Sequence, residues 1–83
     1  MSKTLDVTVS TTLTHLPIGM DGRIISVKGS GRVTRRLLEM GVIPGALIRI
    51  IKAAPFGDPI EVRVKGYNLA MRRNEADSVE VGL

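Results

Sequence analysis

Apolar and polar positions repeat with two different periods along these 83 residues, and each change of period marks an element. Lys3–Ser10 sets Leu5, Val7 and Val9 against Thr4, Asp6 and Thr8, the rhythm of a strand, although a chain end is often loose. Thr12–Pro17 predicts a single helical turn with Leu13 and Leu16 inward and Pro17 as its stop. Arg23–Val27, after a turn at Gly19–Gly22, is a short strand of branched residues. The period then becomes helical over Arg32–Met40. Val33, Leu37 and Met40 recur at i, i+4 and i+7 as a core stripe, while Arg32, Arg35, Arg36 and Glu39 share the wet arc. Leu38 lies beside that stripe, so edge packing and an exposed contact are equally open. Ser30 is placed to cap the helix start, and Gly41 to end it in a left-handed conformation.

Strand rhythm returns after the Pro44-Gly45 turn. Ala46–Ala54 carries apolar residues on both faces, so part of it is expected to be buried twice. Pro55-Phe56-Gly57-Asp58-Pro59 makes a hairpin tip, with prolines where ladder donors are not needed. Ile60–Lys65 alternates Ile60, Val62 and Val64 inward with Glu61, Arg63 and Lys65 outward. A turn at Gly66–Asn68 leads into Leu69–Arg73, with Leu69 and Met71 inward. Asn74–Asp77 turns again, and Ser78–Val81 is a last strand carrying Val79 and Val81. Short strands joined by tight Gly/Pro turns predict a strongly bent antiparallel barrel of about five strands. One short helix, about residues 31–40, falls between its first and second strands.

Size restricts what such a chain can do. Eighty-three residues make one domain, 1–83, in which 1–10 is a loose segment or an extra strand. A domain this thin suits an offered surface better than an enclosed catalytic cavity. With no cysteine, disulfides, thiol catalysis and thiolate metal sites are excluded. No apolar run approaches the roughly 20 residues that cross a bilayer, and the start lacks the pattern of a secretion signal. The expectation is a cytoplasmic protein that is not membrane-inserted. The net charge of +4 suits nucleic acid, an anionic membrane face, an acidic protein or simply a solvated surface. One Phe, one Tyr and no Trp argue against a base-stacking platform.

Candidate chemistry is sparse. Lys28-Gly29-Ser30-Gly31 sits between strand and helix but lacks the Gly-Lys-Ser/Thr close of a phosphate loop. His15 is the only histidine, and no second metal ligand is near it. Asp58 and Glu61 are close in sequence but fall on a turn and a strand. No nucleophile–base pair appears, so no catalytic, cofactor or metal site is expected. Phe56 at a hairpin tip either folds back to pin the loop or is displayed as an anchor. Arg32, Arg35 and Arg36 form a basic face able to grip phosphates.

Three stretches together resemble a known family. They are Arg36–Gly45 (RLLEMGVIPG), Ala54–Ile60 (APFGDPI) and Leu69–Arg73 (LAMRR), followed by Glu75-Ala76 before Val79-Glu80-Val81. A helix ending in Gly-x-x-Pro-Gly, paired with an Ala-Pro-x-Gly-Asp-Pro tip, is similar to the FeoA family over roughly Leu13 to Val81. That resemblance implies an SH3-like barrel and a non-enzymatic, cytoplasmic accessory role in ferrous iron uptake. The partner would be the cytoplasmic side of the FeoB transporter, with an effect on transport or on the GTPase cycle. The contact surface is expected at Leu38, Met40 and Val42 on the helix end, and at Phe56, Gly57 and Asp58 on the tip. Two other readings stay open. One is a nucleic-acid-associated barrel using Arg32, Arg35 and Arg36, although nucleic acid ranks well behind. The other is a metal sensor similar to the C-terminal domain of DtxR-type repressors, using His15 with carboxylates. An exposed Leu5-Val7-Val9 strand would also let a second copy pair, giving a homo-oligomer.

Overall fold

Branched residues at every second position need a shared apolar side, and a curled sheet supplies it. The computed structural model describes residues 9–29 and 31–83. Its strands are β1 (Ser10–Thr12), β2 (Asp21–Val27), β3 (Leu47–Ala53), β4 (Ile60–Val64), β5 (Tyr67–Met71) and β6 (Val79–Gly82). They form one antiparallel sheet in the order β1-β6-β2-β3-β4-β5. Helix α1 (Gly31–Glu39) connects β2 to β3, and the single turn α2 (Arg73–Ala76) connects β5 to β6. Among the described residues every buried side chain is apolar.

The period-2 assignments hold closely. Ile60, Val62 and Val64 are all buried, as are Val79 and Val81, because strand alternation sends every second side chain to the same face. Leu13 and Leu16 plug the core from a 3-10 turn at Leu13–His15. The doubly apolar β3 is explained by a register shift between Ile50 and Lys52 against β4. This irregularity lets Ile51 be half-buried beside the inward Ile48 and Ile50.

Several expectations change. Among the described residues there are six strands where about five were expected, because Ser10–Thr12 pairs with Glu80–Gly82. Hydrogen bonding, not apolar alternation, makes that strand. Asn74–Asp77 is mostly the helical turn α2, and among the described residues β1 and β5 do not pair, so the sheet keeps two edges. The Ser30 cap, and Lys3–Ser10 up to Thr8, lie outside the described residues.

The helix departs furthest from its pattern. Of the expected stripe only Leu37 is buried, whereas Val33 is 40% exposed and Met40 is half-buried. The periodicity is present, but α1 meets the core only through its C-terminal end. That end is closed as the sequence requires. Gly41 has φ +96°, its N–H bonds the Leu38 carbonyl at 3.1 Å, and the Val42 N–H bonds the Leu37 carbonyl at 3.0 Å. This is a Schellman close with Leu37 and Val42 buried together. A Cβ on Gly41 would also lie 3.1 Å from both the Lys65 stem and the Tyr67 hydroxyl, so glycine is required twice over.

Leu37→Ala is expected to lower the unfolding free energy by about 2–5 kcal/mol, the range for truncating a buried leucine. Val33→Ala should change it by less than about 1 kcal/mol. Urea denaturation of the two variants checks both, and equal losses would restore the predicted stripe.

Candidate functional site

The hairpin tip between β3 and β4 is built to display a side chain. Pro55–Gly57 make a 3-10 turn closed by Gly57 N–H to Ala54 O at 2.8 Å and Ala54 N–H to Pro59 O at 2.9 Å. Within it Phe56 takes φ +70°, a left-handed conformation. Its ring is fully exposed. A bulky residue held at positive φ carries strain, and here no burial of the ring compensates. The ring therefore does not fold back to pin the loop, which removes one of the two readings of the sequence. The loop behind it is fixed to α2. Asp58 Oδ1 accepts the Arg73 N–H at 3.1 Å, and Gly57 lies so close to the Arg73 guanidinium that a Cβ would sit 3.1 Å from it. A cleft of about 350 Å³, lined by Ala54, Pro55, Pro59 and Ala70 among others, opens beside the tip.

The helix end is a separate place. Leu38 is 39% exposed, and the Met40 carbonyl accepts the Tyr67 hydroxyl at the start of β5. Val42, expected on the surface, is completely buried; as the residue after the left-handed glycine it turns back beneath Leu37. It offers no surface to a partner. Tyr67 pairs with Val64 at the far end of β4, whereas Phe56 precedes its start. The residues grouped from sequence thus form two spots at opposite ends of β4, one carrying Leu38 and Met40, the other Phe56, Gly57 and Asp58.

The basic face is also smaller than the pattern suggests. Arg32 and Arg35 are exposed, but Arg36 is committed to an ion pair with Glu75. The other Glu75 oxygen accepts the Arg72 N–H at 3.0 Å, capping α2. One nearly buried carboxylate thereby joins α1 to α2, a role that sequence spacing alone could not reveal. Arg35 and Glu39, spaced to interact, form no ion pair. His15 Nδ1 lies 2.9 Å from the Thr12 hydroxyl. Among the described residues no group of three His, Cys, Asp or Glu side chains converges as metal ligands would, and no helix is long and apolar enough to cross a membrane.

Comparison with known proteins adds independent weight. The family model described as the FeoA domain matches residues 11–83. A fusion of Fe(2+) transport protein A with Fe(2+) transporter FeoB from Porphyromonas gingivalis is 38% identical over 71 residues, covering 86% of this chain but only 8% of the fusion protein. The solution structure of iron(II) transport protein A from Clostridium thermocellum is 37% identical at a TM-score of 0.84, covering 88% of this chain and 45% of that one. The zinc complex of FeoA from Stenotrophomonas maltophilia, an SH3 domain protein, is 32% identical at a TM-score of 0.76, with 86% and 88% covered. The six-stranded sheet is thus SH3-like. A manganese-dependent transcriptional repressor, 14% identical at a TM-score of 0.82, shares the fold alone.

Phe56→Gly is expected to leave the domain as stable as before, or more stable by up to about 1 kcal/mol, because glycine relieves the left-handed strain. Thermal unfolding measures this. A loss above about 1 kcal/mol would mean that the ring packs on the protein.

Proposed function

The chain belongs to the FeoA domain family, and from that premise we propose that it is an accessory protein of ferrous iron uptake. It binds the cytoplasmic side of a FeoB-type transporter and modulates Fe(II) transport or the GTPase cycle. It performs no catalysis of its own. The observation that carries this reading is the homologue in which the two proteins are one polypeptide. Fusion holds two modules at a high effective concentration; as separate chains they need an interface that replaces the tether. The chain spans only a small fraction of that fused relative.

Phe56 is the strongest candidate for that contact. It is a rigid aromatic, fully exposed and held out by a braced loop, the kind of residue that anchors an interface by filling a partner's pocket. Gly57 and Asp58 shape the loop behind it, and the apolar cleft beside the tip would receive a side chain in return. Leu38 and Met40 offer a second, smaller contact. With Arg36 engaged by Glu75, a nucleic-acid reading on α1 retains two arginines and no aromatic partner beside them.

Titration against detergent-purified FeoB, with and without guanine nucleotide, tests the proposal. Saturable binding is expected, weakened at least about tenfold by Phe56→Gly, as for a hot-spot anchor, and less by Leu38→Glu. Absence of binding in every nucleotide state would overturn the reading. Unchanged affinity of Phe56→Gly would move the contact away from the tip.

A further inference from the structure

A row of side chains crosses the outer face of the sheet far from the tip. Register places Asp21 opposite Arg49, Arg49 opposite Arg63, and Arg63 opposite Asn68. Two arginines facing one another across neighbouring strands repel, an arrangement that weakens a sheet. Each is steadied from its other side. Arg49 Nε donates to Asp21 Oδ1 at 2.8 Å, which drives the guanidinium pKa further upward through that hydrogen bond and the carboxylate charge. Arg63 donates to Asn68 Oδ1 at 3.3 Å, and Asn68 Nδ2 donates in turn to Glu61 at 2.9 Å. Arg49 is thus ion-paired through Nε with Asp21, whereas Arg63 is oriented by Asn68 and keeps its full charge.

A shallow cleft of about 300 Å³ opens beside these arginines. Lys65 and Gly66 of the β4–β5 turn line one end of it, and Leu47 lines another part. Lys65 takes φ +56° at a turn position that favours Asn, Asp or Gly, so the positively charged residue is held there against local preference. Arg49, Arg63 and Lys65 against Asp21 alone leave the cleft with an excess of two positive charges. Leu47, half-exposed, adds an apolar flank.

We infer that this cleft is a docking site for an acidic peptide segment of a partner protein. Guanidinium forks pair with carboxylates through two parallel hydrogen bonds, and two neighbouring forks match side chains two apart on an extended strand, all on one face. Leu47 would take an apolar residue between or beside them. Phosphate backbones fit less well. Asp21 stands in the cleft, and no aromatic ring lines it for a base to stack on. A second copy of this chain, also at +4, would approach against charge. The site lies away from the hairpin tip, although its Lys65 packs against Gly41 beside the helix end, and it does not depend on the contact at Phe56.

The test is an amide chemical-shift titration of the full chain with acetylated hexaglutamate peptide, at low and moderate salt. Saturating shifts are expected at Arg49, Arg63, Lys65 and Gly66, with affinity falling as salt screens the pairs. The double variant Arg49→Gln/Arg63→Gln should weaken binding at least about tenfold, equivalent to 1.4 kcal/mol. Arg32→Gln/Arg35→Gln, which removes the same charge from α1, should leave it unchanged. Arg63→Gln alone, which keeps a partner for Asn68, serves if the double variant does not fold. Equal weakening by both double variants would overturn the site in favour of diffuse charge. Tighter binding of a short oligonucleotide or of inorganic phosphate at the same amides would overturn the carboxylate assignment.

Discussion

The arrangement of this domain depends on the Glu75 carboxylate. One oxygen takes the Arg72 N–H and caps α2, and the other takes Arg36 and ties down α1. The helix needs such a tie because Leu37 is its only buried side chain. Burying one leucine yields roughly 1.5–3 kcal/mol, too little to fix both the position and the direction of a nine-residue helix. The Tyr67 hydroxyl on the Met40 carbonyl gives a further point of attachment. Three contacts of different chemistry hold what packing alone does not. The same α2 backbone braces the hairpin tip through Asp58, so one short turn contacts both α1 and the tip.

Much of the fold was legible in the sequence because strand alternation is a local property. Ile60, Val62 and Val64 announce their face without reference to the rest of the chain, and Gly41 announces the helix end by its own conformational freedom. Val33 and Val42 show the limit. The apolar spacing of Val33 is correct for a helix stripe, but how deeply a helix sits on a sheet is a tertiary fact. Val42 is apolar next to a glycine turn, a setting equally consistent with display and with a Schellman close. The pairing of Arg36 is invisible to helix spacing because its partner is 39 residues away. The Arg49–Arg63 juxtaposition needed a register that a bulge at Ile50/Lys52 alters nearby, and no spacing rule contains that.

Function follows from where these features fall. Phe56 and the helix end stand at opposite ends of β4, a five-residue strand about 16 Å long at 3.3 Å per residue. A transporter surface touching both must run along that strand, whereas one that takes Phe56 alone needs only a pocket. The outer-face arginines lie on the rows that link β4 to β3 and β5. This is the part of the molecule where side chains are not shared with the core, and substitution there leaves the apolar interior intact.

The first five residues of α1, Gly31–Arg35, have no fully buried side chain, and this affects how the domain opens. Between Gly31 and Arg35, ahead of the Arg36–Glu75 ion pair, no fully buried side chain has to be exposed for the backbone hydrogen bonds to break. That segment can unwind as its own small cooperative unit, at a fraction of the free energy of global unfolding. From Arg36 to Val42 the chain is held by the Glu75 ion pair, the buried Leu37 and Val42 and the Schellman close, so its opening costs more. The helix is therefore two thermodynamic objects joined end to end, a fraying arm and a fixed hinge. A partner that orders the arm would pay its conformational entropy on binding.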